Sequence, residues 1–364
     1  MRKVVVIGES ILSPLGATPR ENFEAVCRGE SALQRYEGMF GVKEPFVASM
    51  MDRTAWTLPG KTFFDSIVFE AARRAVEAAS IDPASPRTAF VLSTIKGNIE
   101  FIDTQDVTLA ASARRLGEAF HNPNPVVVVS NACISGLAAL LQGRRMLLGG
   151  VLDHVIVVGA EVQSRFIVTG FQSLKALSEA PCKPFDAQRD GLNLGEAAAA
   201  VVLGFGEDGW ELVDGAVRND ANHISGPSRT GEGSYKALRY VLQHAAPEEL
   251  AFVNVHGTST LYNDEMEAIA IDRAGLLDVP VNALKGVFGH TMGAAGVLES
   301  ILSMRAVDAG IVLPTRGFSE LGVSRPVRVS ASMGTTDKKA FVKLLSGFGG
   351  VNGALLFRKG GAAC

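Results

Sequence analysis

The chain has 364 residues, of which 47% are hydrophobic and 20% are charged, and its formal net charge is −3. This length accommodates two domains or one large duplicated domain with an extensive apolar core. The slightly acidic balance argues against a general nucleic-acid binder, and no stretch approaches the roughly 18 uninterrupted apolar residues that a membrane-spanning helix needs.

Apolar strand-like runs alternate with helical segments along the first part of the chain. The initial run is short and interrupted at Gly8 and Pro14, so it predicts a first strand rather than a signal peptide. Near-continuous apolar strands separated by helices indicate parallel-rich sheets that helices cover on both faces. The predicted strands are 3–8, 88–94, 125–131, 154–161 and 197–205, and the clearest helices are 65–80 and 134–150.

The same alternation restarts after residues 206–209. We therefore predict two halves of similar architecture, residues 1–207 and 208–364, which pack as one body because no low-complexity linker separates them. No sequence repeat accompanies this duplication. The second half begins with the run 210–220, and its predicted elements are a strand at 251–257 and helices at 234–245, 264–275 and 293–310.

Cysteine usage favours a reducing compartment. The four cysteines are scattered without a CxxC pair, which is typical of free thiols in the cytoplasm, where we expect this protein, rather than of a disulfide framework. They are Cys27, Cys133, Cys182 and Cys364.

Cys133 lies at the predicted junction of a buried strand and a buried helix, in VVVVSNACISGLAAL (126–140). A cysteine is often simply a small core residue. At a helix N-terminus, however, unpaired backbone N–H groups and the helix dipole favour the thiolate. A strand-to-helix elbow also presents a nucleophile together with its backbone N–H. The position therefore predicts a nucleophile with a depressed pKa, provided that the chain supplies a base.

Three further segments have the composition of a site. They contain His256, then Lys285 and His290, then Phe348 within a glycine turn. A lone histidine after a strand is more often structural than functional, and no pair among Cys133, His256 and His290 has short metal-ligand spacing, so no metal is expected. The segments are NVHGTSTLYNDEME (254–267), NALKGVFGHTMGAAG (282–296) and LLSGFGGVNG (344–353).

Taken in this order, the segments resemble the elongating β-ketoacyl–acyl carrier protein synthases of the thiolase superfamily, over nearly the whole chain. The resemblance implies a thiolase-like duplicated α/β fold, layered αβαβα, with two mixed sheets covered by helices. The matching stretches are SPLG (13–16), NACISG around Cys133, KPFDAQRDGLNLGEAAA (183–199), HGTSTLYND (256–264), KGVFGHTMGAAGVLE (285–299) and GFGGVNG (347–353).

The resemblance also implies a role for each matching residue. Cys133 is the acylated nucleophile, His256 and His290 are its histidine pair, and Lys285 forms a supporting charged pair with Glu299. The remaining expected site residues are Asp264 and Glu267 in support, Phe348 as a gate whose backbone N–H joins that of Cys133 in an oxyanion hole, and Thr258, Thr260, Ile134 and Ser225 along the phosphopantetheine and substrate path.

These residue types suit the implied chemistry. A thiolate attacks a thioester well, and two imidazoles that donate hydrogen bonds to a thioester oxygen would stabilise the enolate formed when a malonyl group loses CO2. The expected partner is an acyl carrier protein, whose phosphopantetheine arm delivers the substrates, so no cofactor is expected. A homodimer is expected, with a heterodimer of related subunits as the alternative. Candidates for docking the acidic carrier are Arg53, Lys61, Arg114 and Arg115.

The chain departs from the family pattern near the nucleophile. Ile134 follows Cys133 where many relatives carry a smaller residue, and GLNLGEAAA (191–199) replaces a more glycine-rich ending. The stiff β-branched side chain of Ile134 either narrows the acyl channel, which favours unsaturated or aryl-primed chains of a specialised pathway, or simply packs in the core.

Other classes of protein fit less well. A chain-length partner subunit keeps the fold but normally lacks the nucleophile. A thiolase would use a second cysteine, and an initiating synthase a His/Asn pair. A purely structural or binding protein would not need the four segments together.

Overall fold

The structure is a computed structural model that describes residues 2–220 and 222–360; Cys364 lies outside the described residues. The strands are β1 (Val4–Leu12), β2 (Leu33–Tyr36), β3 (Phe46–Ser49), β4 (Thr88–Ser93), β5 (Val127–Val129), β6 (His154–Glu161), β7 (Leu194–Gly195), β8 (Ala197–Phe205), β9 (Gly209–Asn219), β10 (Leu250–Asn254), β11 (Val281–Asn282), β12 (Ile311–Val312), β13 (Gly334–Thr335), β14 (Ala340–Gly347) and β15 (Val351–Gly360). The α-helices are α1 (Pro19–Cys27), α2 (Arg53–Trp56), α3 (Phe63–Ala79), α4 (Leu109–Ala119), α5 (Ser135–Leu148), α6 (Arg165–Ser173), α7 (Glu232–Val241), α8 (Leu261–Arg273), α9 (Lys285–Phe288) and α10 (Ala295–Asp308).

The main sheet is built from two five-stranded halves with the same topology. Its order is β11-β10-β14-β15-β9-β1-β8-β6-β4-β5. In each half the strands, counted along the chain, lie in the order third, second, fourth, fifth, first from the outer edge to the centre. The outer pairs are parallel and the inner pairs antiparallel, so both halves are mixed, as the resemblance implies. The prediction of parallel-rich sheets from the apolar strands is therefore wrong, since antiparallel strands buried on both faces are equally apolar. Two residue pairs between β1 and β9, Val5 with Glu211 and Val6 with Trp210, join the halves into one continuous sheet.

Helices cover both faces of each half, which produces the expected αβαβα layers. Helices α5 and α10 lie in the middle and contact strands of both halves, α3 covers the outer face of the first half, and α7 covers that of the second. Helix α8 packs on α7, and its apolar residues join the buried cluster of the second half. Strand β8 shows why these strands are apolar throughout. Ala197, Ala199, Val201 and Leu203 pack toward α5 and α10, whereas Ala198, Ala200 and Val202 pack toward α3. A strand buried on both faces has no polar side.

The central helices cross where both carry glycine. A Cβ atom at Gly296 in α10 would lie 2.2 Å from the backbone nitrogen of Leu137, and one at Gly136 in α5 would lie 2.9 Å from the carbonyl oxygen of Gly293. The small-residue run 293–296 therefore lets α10 approach α5 at backbone distance. This crossing places the N-terminal end of α5, which follows Cys133, beside the loop that carries His290.

The apolar pattern of the sequence did not predict several elements of the fold. They are β15, whose start is rich in glycine, the small sheet of β2, β3 and β7, and helices α1, α4 and α6. The pattern also placed the first strand at 3–8, whereas β1 continues to Leu12 because a bulge between Val6 and Gly8 keeps it paired with β8. Among the described residues, no helix combines the length and apolarity needed to cross a membrane.

Candidate active site

A pocket of about 420 Å³ is lined by seven of the residues predicted for the site. Its wall comes from both halves of the fold, because the elbow before α5 meets the loops after β10, α9 and β14. The lining includes Cys133, His256, Thr258, Thr260, His290, Phe348 and Ser225.

Cys133 lies on a strained elbow between β5 and α5. Ala132 adopts a positive φ of 45°, and the Ser135 hydroxyl braces the turn by accepting a hydrogen bond from the Asn131 N–H (2.8 Å) and donating one to the Ala132 carbonyl (2.6 Å). A positive φ at a non-glycine residue costs free energy and is kept where surrounding contacts enforce it. Glycine at position 347 lets the loop after β14 approach this elbow closely, since a Cβ there would lie 3.0 Å from the Cys133 nitrogen.

Burial raises the pKa of the Cys133 thiol to about 11. The positive charge of Lys285 and hydrogen bonds from the backbone N–H groups of Phe348 and of Cys133 itself oppose this rise without cancelling it. The depressed pKa predicted from the helix end is therefore wrong, because Cys133 is only 6% exposed and its thiolate loses the solvation of water. The two N–H groups nevertheless converge on the sulfur, as an oxyanion hole requires.

The two histidines lie beside the sulfur. Donor atoms of Cys133, His256 and His290 all lie within 4.8 Å of one another. The His290 Nδ1 accepts a hydrogen bond from the Met292 N–H (3.3 Å), so the proton of the neutral ring resides on Nε2. Among the described residues, His290 Nε2 and His256 Nδ1 are buried without a hydrogen-bond partner. The unpaired Nε2 proton is therefore free to serve a substrate.

Both imidazoles are held neutral. Burial lowers the pKa of His256 and of His290 well below the usual range, and the positive charges of Lys285 and Lys343 lower both further. The charged imidazolium is disfavoured in an apolar pocket next to two cations.

Two buried carboxylates fasten the loop that carries His256. Glu267 accepts hydrogen bonds from the N–H groups of His256 (2.7 Å) and Gly257 (2.8 Å). Asp264 accepts from those of Thr258 (3.0 Å) and Ser259 (3.1 Å), and from that of Phe185 in the first half (2.7 Å). Burial raises the pKa of Glu267 to about 7 and that of Asp264 to about 6. Both residues thus support the site by positioning backbone.

The 193–195 stretch anchors the other histidine. The His290 N–H donates to the Asn193 carbonyl (2.7 Å), and its own carbonyl accepts from the Gly195 N–H (3.1 Å). Glycine is required at position 195, since a Cβ would lie 2.0 Å from the Phe288 oxygen. The GLNLGE stretch therefore builds the backbone under His290.

Behind the histidines, one carboxylate serves two lysines. Lys285 Nζ lies 2.9 Å from Glu299 Oε1, and Lys343 Nζ contacts Glu299 Oε2. All three side chains are fully buried. The Lys285–Glu299 pair is present as expected, whereas Lys343 was missed. Its signal was a lysine in the middle of the apolar run AFVKLL (340–345).

Glu161 was also missed. It ends β6, and its carboxylate accepts hydrogen bonds from the N–H groups of Ile95 (2.8 Å), Lys96 (3.1 Å) and Gly293 (3.1 Å) and from the Thr94 hydroxyl (3.1 Å). Burial raises its pKa to about 7 against these bonds. The contacts tie the loop after His290 to the first half. A carboxylate at the end of an apolar strand was the available signal.

Family models match both parts of the chain. The model of the β-ketoacyl synthase N-terminal domain matches residues 1–208, and that of the C-terminal domain matches residues 210–319. The chain belongs to the β-ketoacyl synthase family.

Individual proteins resemble this β-ketoacyl synthase along their whole length. The 3-oxoacyl-[acyl-carrier-protein] synthase 2 of Vibrio cholerae is 27% identical, over 98% of this chain and 99% of the relative. A β-ketoacyl synthase from Burkholderia phymatum shares the fold with a TM-score of 0.87 and 24% identity, over 99% of this chain and 100% of that one. The ishigamide ketosynthase/chain length factor structure matches with a TM-score of 0.89 and 23% identity, over 99% and 100%.

Aromatic and hydroxyl side chains of this β-ketoacyl synthase line the way to Cys133. Phe348 stacks on Phe171 of α6, with ring centroids 5.8 Å apart. The hydroxyls of Thr258 and Thr260 lie 2.9 Å from each other on the pocket wall. Ser225 also lines the pocket, so these three predicted path residues share one pocket wall with Cys133.

Ile134 does not line this pocket. It is fully buried and belongs to the central cluster between the sheet halves. The expectation that it narrows a substrate path is therefore corrected. The elbow turns its side chain into the core because Cys133, the preceding residue, takes the position facing the pocket.

The predicted docking cations are engaged elsewhere. Arg53 pairs with Glu100 (2.7 Å) and Glu196 (2.8 Å), and Arg115 pairs with Asp65 (2.7 Å). Like these two, Lys61 and Arg114 are absent from the pocket lining. The exposed cation that does line the mouth of the pocket is Lys175, which follows α6.

The donor set of Cys133, His256 and His290 is the group of described residues whose spacing suits a metal ion. The positive charges of Lys285 and Lys343, which already disfavour protonation of both rings, also oppose a divalent cation there. The electrostatics of the site thus favour negative charge in the pocket.

Proposed function

We propose that the protein is a β-ketoacyl-[acyl carrier protein] synthase that performs a decarboxylative Claisen condensation in fatty acid or aryl-polyene-type polyketide biosynthesis. The observation that carries this proposal is the convergence of the Cys133 thiol, the His256 and His290 rings and the Phe348 N–H at one pocket. An acyl-transfer centre needs a nucleophile, groups that accept or donate protons, and an oxyanion site, all within reach of one thioester.

The first step transfers an acyl group from a carrier thioester to Cys133. The thiol is protonated at rest, and His290 is set as a donor by Met292, so His256 accepts the thiol proton as the sulfur attacks the carbonyl carbon. The N–H groups of Cys133 and Phe348 stabilise the oxyanion. The carrier's carbon–sulfur bond then breaks, and the departing phosphopantetheine thiol takes the proton back.

The second step forms a carbon–carbon bond. A malonyl thioester loses CO2, and the electrons of the broken bond form an enolate whose oxygen accepts hydrogen bonds from His290 Nε2–H and from neutral His256. For this step His256 carries its proton on the nitrogen that accepted the thiol proton in the first step. The enolate carbon attacks the acyl–Cys133 carbonyl, the carbon–sulfur bond breaks with its electron pair on the sulfur, and a β-ketoacyl carrier thioester leaves. The Cys133 thiolate then takes one proton from solvent, which restores the resting thiol. In this scheme the substrates bring the phosphopantetheine arm, and the enzyme supplies no cofactor of its own.

The proposed partners are an acyl carrier protein at the pocket mouth and a second subunit at the sheet edge. Strand β5 ends the main sheet with three half-buried valines, 127–129, and pairs on one side with β4. An apolar edge strand next to the nucleophile elbow favours pairing with an identical or related subunit. The free thiols of Cys27, Cys133 and Cys182 support a cytoplasmic location.

A non-catalytic chain-length subunit is the alternative function. Such a subunit needs the fold but not the nucleophile. Because Cys133, both histidines and the lysine–carboxylate support are all present and converge, the catalytic function is favoured.

The decisive experiment is a carrier-protein-dependent condensation assay on the wild type, Cys133→Ala and the matched control Cys27→Ala. We expect β-ketoacyl carrier product from the wild type and the control and none from Cys133→Ala. A wild type that neither accepts an acyl group nor decarboxylates malonyl carrier protein, alone or with a related subunit, would refute the proposed function.

A further inference from the structure

Lys343 is an unusual residue for its position. It lies in the middle of β14, between the fully buried Val342 and Leu344, on a strand that pairs on both sides. Its own side chain has no exposure to solvent. Burying an ammonium group is costly unless polar partners replace its hydration shell, so the surroundings must compensate for the charge.

Three oxygen atoms surround the Lys343 ammonium group. Nζ donates to Asn254 Oδ1 (2.6 Å), to the Val255 carbonyl (3.4 Å) and to Glu299 Oε2. The Asn254 amide is itself oriented, because its Nδ2 donates to Asn282 Oδ1 (2.9 Å) and leaves its oxygen to the lysine. An ammonium group has three protons and each finds an acceptor. The charged form is thus the one that the site is shaped to hold.

This cation connects directly to the histidine pair. Val255, one of its acceptors, immediately precedes His256 in the chain. Glu299, another, holds Lys285 at 2.9 Å through its second oxygen. Two ammonium groups therefore share one carboxylate, and the cluster carries a net positive charge. Its field already acts on both rings, since Lys343 lowers the pKa of His256 and of His290.

We propose that Lys343 is a positioning residue for the decarboxylation step: a fixed internal cation that orients Glu299 and supports the negative charge forming at the histidine pair. The inference rests on the proposed condensing function. Lys343 itself does not contact substrate. It acts through Glu299, through the Val255 carbonyl that precedes His256, and through the electrostatic field of its charge.

Several titratable groups face this ammonium group. They are Glu299 from α10, Lys285 from α9, Glu267 from α8, and His256 and His290 from their loops. Burial lowers the pKa of Lys343 to about 8, with Lys285 adding to this effect and Glu299 and Glu267 opposing it. As the pH rises through about 8, the cation is lost, and decarboxylation should fall with it.

The test compares wild type with Lys343→Met, which keeps the length of the side chain, and with Lys339→Met, a matched control at an exposed lysine just before β14. Malonyl carrier decarboxylation, acylation of Cys133 and thermal stability are measured separately. For Lys343→Met we expect decarboxylation lower by about tenfold or more and acylation within about twofold of wild type. Its melting temperature is expected to fall, since Asn254 Oδ1, the Val255 carbonyl and Glu299 Oε2 lose their shared donor, so both rates are measured at a temperature at which the variant remains folded.

Two further measurements separate positioning from packing. The wild-type decarboxylation rate should fall as the pH rises through about 8, and the residual rate of Lys343→Met should not. Ammonium chloride should restore part of the activity of Lys343→Ala and leave the wild type unchanged, because a free ammonium ion fits the three vacated acceptors.

A decarboxylation rate within twofold of wild type in Lys343→Met, with an unchanged pH profile, overturns the inference. Should that variant fail to fold, a wild-type rate that stays level from about pH 7 to about pH 10 overturns it equally. Both results presuppose an active wild type, so they leave the proposed function standing; an inactive wild type refutes that function instead.

Discussion

The imidazole rings of His256 and His290 meet edge to face, with their centroids 4.9 Å apart and their planes at 83°. This arrangement lets two rings approach one substrate oxygen from different directions without stacking on each other. Burial and two nearby lysines keep both rings neutral, so the pair offers hydrogen bonds without bringing positive charge of its own. The charge comes from the lysine cluster behind it.

Loss of either ring should separate the two chemical steps. His256→Ala and His290→Ala are expected to retain some acylation of Cys133 and to lose malonyl decarboxylation by about 100-fold, because the enolate then lacks one of its donors. Radiolabelled CO2 release measures the decarboxylation step, and mass spectrometry measures acylation. Decarboxylation at the wild-type rate in either variant would show that its ring does not hold the enolate.

The same pair predicts how the wild type responds to acid. Because the pKa of each ring lies well below its usual range, neither ring gains a proton as the pH falls from about 7.5 to about 6. The NMR signals of both rings should therefore not shift across this interval, whereas the decarboxylation rate also reports on Glu161 and Glu267, whose pKa values are about 7. A ring signal that titrates near the pKa of an ordinary exposed histidine would contradict the burial and the lysine field.

Acylation should select one thiol. We expect an acyl carrier thioester, or a cerulenin-like inhibitor, to label Cys133, the cysteine that faces the pocket. Cys182 is buried, its pKa is raised to about 12, and its thiol donates a hydrogen bond to the Lys285 carbonyl. Cys27 does not line the pocket. Peptide mass spectrometry locates the label, with Cys27→Ala as the control. Label on Cys27, Cys182 or Cys364 in place of Cys133 would overturn the assignment.

Removing the shared carboxylate should cost stability. Glu299→Gln leaves Lys285 and Lys343 without their counterion, and loss of one partner of a buried pair costs about 3–5 kcal/mol. Burial alone would raise the pKa of Glu299, but the two lysines lower it. The contribution of Glu299 to the free energy of unfolding is therefore fully present above the pKa that this carboxyl has in the unfolded chain. It disappears as the pH falls through the lower pKa of the folded state.

Urea unfolding at several pH values measures this effect, with the exposed Glu320→Gln as the control. The free energy of unfolding of Glu299→Gln should fall furthest below that of the wild type at neutral pH, and the difference should shrink in acid. A deficit independent of pH would indicate that the loss is one of packing only.

Ile134→Ala should behave as a core substitution. Since Ile134 is fully buried in the central cluster, we expect a loss of about 2–5 kcal/mol in the free energy of unfolding. Activity should fall to a similar extent with saturated and polyene acyl donors. A selective increase in turnover of long saturated donors would instead show that Ile134 lines the acyl channel.

Carrier docking should depend on the mouth of the pocket. Lys175 lines it and is exposed, so Lys175→Glu is expected to raise the Michaelis constant for an acidic carrier protein several-fold, with less effect at high salt. Arg114→Glu, an exposed reversal outside the pocket lining, is the matched control. An equal effect of both reversals would point to net charge rather than docking.

The sequence alone determined the identity of the chemical groups and the layered architecture. Apolar strands such as 197–205 predicted elements covered on both faces, because a strand buried on both faces shows no polar alternation. Local sequence was enough to predict four site residues, because each lies in a short segment together with the glycines and polar residues that mark it. They are Cys133, His256, Lys285 and His290. Predictions of this kind need only local spacing.

Tertiary structure alone decided which side chains meet and in what charge state. The pKa of Cys133 depends on burial by both halves, which outweighs the local helix end. Lys343 and Glu299 are 44 residues apart in sequence, and Glu161 reaches Gly293 across 132, so no local pattern pairs them. Desolvation and charge coupling depend on distances in space, and chain spacing does not contain those distances.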